Sequence, residues 1–212
     1  MRTRHTRHKG FTLVEVVVAF AIFSLVLGGA VSILTTGIAG QRRALGSQDM
    51  VGEISLVTEY VGRALRQARK DDKNSPDGQC LTDVGYGYGW NYQVMDGGTR
   101  IRFLDRGASD NDANKRCREI FLEDGQIKEK IAADAQEGSL PPSGVPLTSV
   151  NIEVTDMRFY EDGAEQQSPA GVVDNRQPRV TLFIEAKSAK APTAAPLRVQ
   201  TTITQRVLDI RR

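Results

Sequence analysis

Residues 16–40 run for twenty-five positions without a charged side chain, and no other feature restricts the fold of this 212-residue chain as strongly. Wound as a helix, such a run is roughly 37 Å long, enough to cross a hydrocarbon layer of about 30 Å. Arg2, Arg4, Arg7 and Lys9 precede it with no acid among the first ten residues, and Arg42 and Arg43 follow it. The basic excess on the N-terminal side predicts that end in the cytoplasm and the bulk of the chain outside the membrane. A helix buried in a globular core is the plainer reading, but the segment's length, terminal position and basic flank weigh against it. A secretory signal is the stronger competitor, because Gly37-Ile38-Ala39 fits a small-x-small cleavage site. Its apolar stretch would span only about 7–15 residues, however. This one is longer and opens with Glu15 nearly at its start. A carboxylate placed at depth costs about 2.5–3.5 kcal/mol, so it calls for a partner.

The remaining composition narrows the chemistry. The formal charge of +2 falls to −2 once the four basic residues of the first ten are set aside, so it is no sign of a nucleic-acid partner. Both histidines, His5 and His8, lie in the same stretch. A chain beginning at Phe11 therefore contains no histidine, which excludes Ser-His-Asp and Cys-His catalysis and histidine metal sites. Two cysteines cannot complete a four-thiolate zinc site. Carboxylates remain available for acid–base chemistry or calcium.

Lys9-Gly10-Phe11-Thr12-Leu13-Val14-Glu15 is similar to the class III signal of type IV prepilins and type II secretion pseudopilins. The shared pattern is a basic leader, a glycine, a phenylalanine, a glutamate four residues on and then an apolar run. The resemblance implies cleavage by a prepilin peptidase between Gly10 and Phe11, and methylation of the new Phe11 amine. It also implies that Glu15 meets the terminal amine of a neighbouring subunit during assembly. The physical argument agrees, since a desolvated carboxylate persists only with a compensating charge. A Glu15 that merely reaches up to the headgroups is the alternative. Gly28, Gly29, Ala30 and Ser32 form a small-residue patch that suits close helix packing, or is neutral filler.

Beyond the apolar run the helical spacing continues. Met50, Ile54, Val57, Val61, Ala64 or Leu65, and Ala68 recur at helical intervals while charged residues occupy other faces. That predicts an amphipathic helix with one stripe on a globular core; a dimerising coiled coil would need a longer stripe. Lys70 to Gly78 reads as a helix stop and an exposed loop. Downstream the period becomes two, with candidate strands at 92–95, 99–104, 118–123, 126–131, 150–160, 179–186 and 197–207. Asp124-Gly125 is a hairpin signal. Loops are expected at 105–115, 132–146, 163–178 and 187–196, where Gly, Pro, Ser, Ala, Asp and Asn concentrate. The expected class is α+β, a long N-terminal helix packed by an antiparallel sheet, and the resemblance implies a ladle-shaped pilin fold. The expected divisions are a leader at 1–10, a membrane or filament-core helix at 11–40, its amphipathic continuation at 41–74 and a β-rich domain at 75–212.

Cys80 and Cys117 form an even pair on the side expected to be outside, which favours a disulfide; two buried thiols are the alternative. Asp105, Asp110, Asn111 and Asp112 cluster oxygen ligands of the kind calcium takes, although the spacing matches no EF-hand and such loops are mostly solvated. Tyr86, Tyr88, Trp90 and Tyr92 make the densest aromatic patch, suited to local packing or to binding partners or sugars. The resemblance implies a structural subunit, a minor pilin or minor pseudopilin, rather than an enzyme. The partners it implies are prepilin peptidase, other pilin or pseudopilin subunits and membrane lipid, with no cofactor and no nucleic acid required. A signal-anchored extracytoplasmic binding domain that stays unassembled is the competing function.

Overall fold

Helix α1 runs without interruption over Leu13–Gln67. The computed structural model describes residues 10–71, 79–82, 90–105, 115–163, 176–189 and 195–206. The chain divides into two compact units, Met1–Leu45 and Gly46–Arg212, so the division falls within α1.

In the first unit every described side chain of α1 is exposed, and the uncovered residues are almost all apolar, from Leu13 through Phe20 and Leu25 to Ile38. The few hydroxyls satisfy themselves along the helix. Ser24 donates to the Phe20 carbonyl at 2.8 Å, Thr35 to the Ser32 carbonyl at 2.9 Å, and Thr36 also to Ser32. Such back-bonding lets a polar side chain sit on an apolar helix without needing water.

The second unit is built around the rest of α1. Met50, Ile54, Val57, Val61, Ala64 and Leu65 are buried along it, and Ala68 follows in β1. This is the stripe that the helical spacing predicts. Two antiparallel sheets supply the other walls of the same core. The first has the order β1(Ala68–Arg69), β3(Arg100–Asp105), β4(Arg116–Glu123), β5(Gln126–Ile131) and β6(Val145–Pro146), with β2(Tyr92–Met95) also paired to β3. The second is β7(Ile152–Asp162), β8(Arg179–Ser188) and β9(Leu197–Thr204). Tyr92, Ile101, Phe103, Ile120 and Ile127 face the helix from the first sheet; Met157, Phe159, Val180, Leu182, Ile184 and Ile203 face it from the second. This is an α+β fold, one long apolar-headed helix packed against antiparallel sheets.

Local chemistry explains the joints. Asp124 and Gly125 link β4 to β5 with φ of 52° and 71°, the doubly positive pair that a two-residue hairpin of right-handed twist requires. Helix α1 ends at Gln67 without a glycine, because the next two residues pair with Leu104 and Asp105 of β3. Its last carbonyls are satisfied from elsewhere in the fold. The Tyr92 hydroxyl donates to Leu65 at 2.8 Å, and the Arg206 amide donates to Arg66 at 2.9 Å. The helix thus stops three residues before the predicted break at Lys70, through tertiary pairing rather than a local stop signal.

The candidate strands recur, Tyr92–Met95 and Gln126–Ile131 with the expected ends and the others with shifted ends, and two more are present among the described residues. β1 and β6 are only two residues each, too short to show any alternation. The stretch 132–146, expected as loop, contains β6 and a 3-10 turn at Glu137–Ser139.

Candidate functional site

The N-terminal segment supplies the first group of site residues. Gly10, Phe11 and Thr12 lie outside the helix, and Phe11 is 86 % exposed. The Gly10–Phe11 bond therefore precedes the helix, in exposed, non-helical chain. Helix α1 begins one residue after Thr12, and the Val16 amide makes the first turn's bond to the Thr12 carbonyl at 3.2 Å. Thr12 is its N-cap and Glu15 its third residue, and their side chains close a reciprocal box. The Thr12 hydroxyl accepts from the Glu15 amide at 3.3 Å. The Glu15 carboxylate accepts from the Thr12 amide and the Thr12 hydroxyl, both at 3.2 Å. A box of this kind stabilises a helix start by about 1 kcal/mol, and the helix dipole adds a favourable field for the negative charge.

Both bonds from Thr12 end on Oε2 of Glu15. The other carboxylate oxygen has room for a second donor. The sequence presents Thr12-x-x-Glu15 directly before an apolar run, which is the pattern of a capping box and is separate from the glycine–phenylalanine–glutamate pattern of the prepilin signal. Among the described residues the hydrogen bonds to the Glu15 carboxylate come from Thr12 alone, and these leave its charge unneutralised.

The cysteines are joined. Cys80 and Cys117 form a disulfide with a Cα–Cα distance of 5.4 Å, closing 37 residues of chain. Around it Leu81, Leu104, Ala132 and Ala135 make a second, smaller buried cluster, with Trp90 and Leu140 against it. Asp71, fully buried, accepts from the Cys80 and Leu81 amides at 3.0 and 2.9 Å and so fixes the approach of that segment.

Asp105 sits at the end of β3, where its Oδ2 is 2.9 Å from Nη1 of Arg118. Of the calcium candidates it is the one within the described residues; Asp110, Asn111 and Asp112 lie outside them. Arg118 also donates to Glu129 at 2.5 Å and to the Tyr60 hydroxyl at 2.6 Å, while Tyr60 donates to Glu129 at 2.7 Å. This closed group ties α1 to β3, β4 and β5. Burial pushes the Tyr60 phenol above its ordinary value, the bond to Glu129 adds to the rise, and Arg118 opposes it. Nothing in the sequence pattern announces this group, since each member reads as an ordinary polar residue in a half-exposed element.

Trp90 and Tyr92 of the aromatic patch pack into the interior, Tyr92 completely. Tyr86 and Tyr88 lie outside the described residues.

Comparison with known proteins gives one result. Residues 5–31 match the family model described as the prokaryotic N-terminal methylation motif, the signature of type IV pilins and pseudopilins. No curated protein and no solved structure matches the chain.

Proposed function

We propose that this chain, whose N-terminus carries the type IV pilin and pseudopilin signature, is a structural subunit of a type IV pilus or type II secretion filament. The motif implies processing by a prepilin peptidase and assembly with other pilins, and its family is structural rather than catalytic. Together with the apolar start of α1 it is consistent with a membrane-anchored protein bearing an extracytoplasmic domain. In this reading the peptidase cuts after Gly10, the Phe11 amine is methylated, and the helix beyond it first spans the inner membrane and then lines the filament core.

The observation that carries the reading is the geometry at Glu15. One carboxylate oxygen holds the helix cap, and the other remains able to take the amine of a neighbouring subunit. The carboxylate, desolvated once the helix is in lipid or in a filament core, therefore gains a counter-charge on assembly without giving up its cap. The subunit is a minor one, in keeping with the loop-rich outer domain and the basic C-terminal end of the sequence. N-terminal sequencing of the membrane-inserted protein tests the reading. A Phe11 start supports it, whereas a start at Gly40 marks an ordinary secretory signal and a start at Met1 marks an uncut anchor with a binding domain.

A further inference from the structure

On the face of β7, β8 and β9 turned away from the core lies a depression of about 430 Å³, lined by Asp156, Arg158, Tyr160, Thr181, Phe183 and Gln200. The strand register sets Arg158, Phe183 and Gln200 in one row across the three strands, and Tyr160 and Thr181 in the next. Phe183 is thus a floor with a guanidinium on one side and an amide on the other. Tyr160, 61 % exposed, is its diagonal neighbour and forms a wall.

A bulge creates this arrangement. Pairing with β8 skips Thr155, and the buried set along β7 passes from Ile152 and Val154 to Met157 and Phe159. Without the extra residue, Asp156, Arg158 and Tyr160 would continue the inward set. The polar groups are held in place. Arg158 donates to Asp156 at 2.9 Å and to the Gly97 carbonyl at 2.7 Å, and the Thr181 and Thr202 hydroxyls bond each other at 3.0 Å. The Gly97 carbonyl is brought there by a turn in which that residue adopts φ of 65°.

We propose that this depression binds a short, neutral oligosaccharide. Pairing between the strands uses the backbone groups of β7 and β8 within the sheet, so a ligand lying on the face meets only side chains. An extended peptide needs backbone partners and finds them at a sheet edge rather than on its face. A pyranose ring needs none. Its C–H face stacks on Phe183 and Tyr160, and its hydroxyls both donate to the Asp156 carboxylate and accept from Arg158 and Gln200. Asp156 and Arg158 neutralise each other, which disfavours a charged ligand. The volume lies within the range of small-molecule sites.

The test is saturation-transfer NMR on the full-length chain in phosphocholine micelles, which contain no sugar. Maltotriose, cellotriose and di-N-acetylchitobiose serve as probes at about 10 mM, matched to weak millimolar affinity, beside an octaproline peptide. Transfer to the ring protons of at least one glycan is expected, reduced about fivefold or more in Tyr160→Ala and in Gln200→Ala, and kept in Tyr160→Trp. No transfer to any of the three glycans overturns the proposal, as does transfer undiminished in both alanine variants. Transfer to octaproline alone also overturns it and assigns the face to a peptide.

Discussion

The Glu15 carboxylate and the Thr12 hydroxyl form a reciprocal pair: the hydroxyl donates to Oε2 at 3.2 Å and accepts from the Glu15 amide at 3.3 Å. A side chain that the motif presents as an assembly residue is thus also part of the helix start. Two functions on one carboxylate predict that variants of Thr12 and of Glu15 separate them. Thr12→Val removes the two bonds of the hydroxyl, leaves the backbone bond to Oε2 and keeps the charge, and should loosen the first turn by about 1 kcal/mol. Hydrogen exchange at the Val14 to Val16 amides in micelles reads this directly. Several-fold faster exchange is expected, with Thr12→Ser close to the parent; unchanged exchange in Thr12→Val contradicts the box.

Processing depends on the residue just outside that turn. Nothing lies within 4 Å of where a Cβ on Gly10 would sit, so a larger side chain there leaves the fold intact. Gly10→Val should nonetheless keep its leader, because the implied peptidase reads that position. Intact mass shows which occurs, and normal trimming of the variant counts against a prepilin signal.

The disulfide should contribute about 4 kcal/mol through the loop it closes, in the chain-entropy account. Non-reducing mass spectrometry of exported protein should show a loss of two hydrogens. Cys80→Ala with Cys117→Ala should unfold at clearly lower denaturant. Two alkylatable thiols in freshly exported, folded protein contradict the bridge.

The group around Arg118 makes a pH prediction. A phenol whose folded-state pKa is raised holds its proton more tightly when folded, so its contribution is complete below the ordinary tyrosine value near 10. It is lost as pH rises through the folded value. Burial raises Tyr60 and, more strongly, Tyr92, so the two act in the same direction. The melting temperature should be level from about pH 8 to 9.5 and fall above about pH 10, less steeply in Tyr60→Phe. Arg118→Met should cost about 3–5 kcal/mol, since Asp105 and Glu129 then stay buried without a cation. A melting temperature flat to about pH 11, or an Arg118→Met cost below about 1 kcal/mol, contradicts the role given to this group.

Legibility in the sequence followed the scale of the signal. The stripe from Met50 to Ala68 spans five turns, so its period survives noise, and each of its members is buried. Strands such as Gln126–Ile131 and Tyr92–Met95 lie beside strong turn residues, and their ends are those expected. Val145–Pro146 and Ala68–Arg69 are strands only because a partner lies beside them, which no local window can show. The union of Tyr60, Asp105, Arg118 and Glu129 likewise depends on register across three strands and a helix. At the N-terminus the expected site residues Gly10, Phe11 and Glu15 lie within one short segment, so a resemblance to a short motif is enough to nominate them. The cap formed by Thr12 was readable as well, from its distance to Glu15.

The central claim is that Glu15, beyond its part in the helix cap, is needed for assembly but not for insertion or for folding of the outer domain. Glu15→Leu removes the charge, makes the helix more lipophilic and leaves the Gly10–Phe11 bond unchanged. The variant should therefore reach the membrane and be cleaved to a Phe11 start, with a protease-resistant outer domain. A neighbour's amine would then lack its buried partner, a loss of about 3–5 kcal/mol. The decisive measurement is co-purification of co-expressed pilin or pseudopilin subunits with cleaved Glu15→Leu protein. Recovery reduced at least tenfold below the parent is the predicted result, while recovery equal to the parent contradicts the claim.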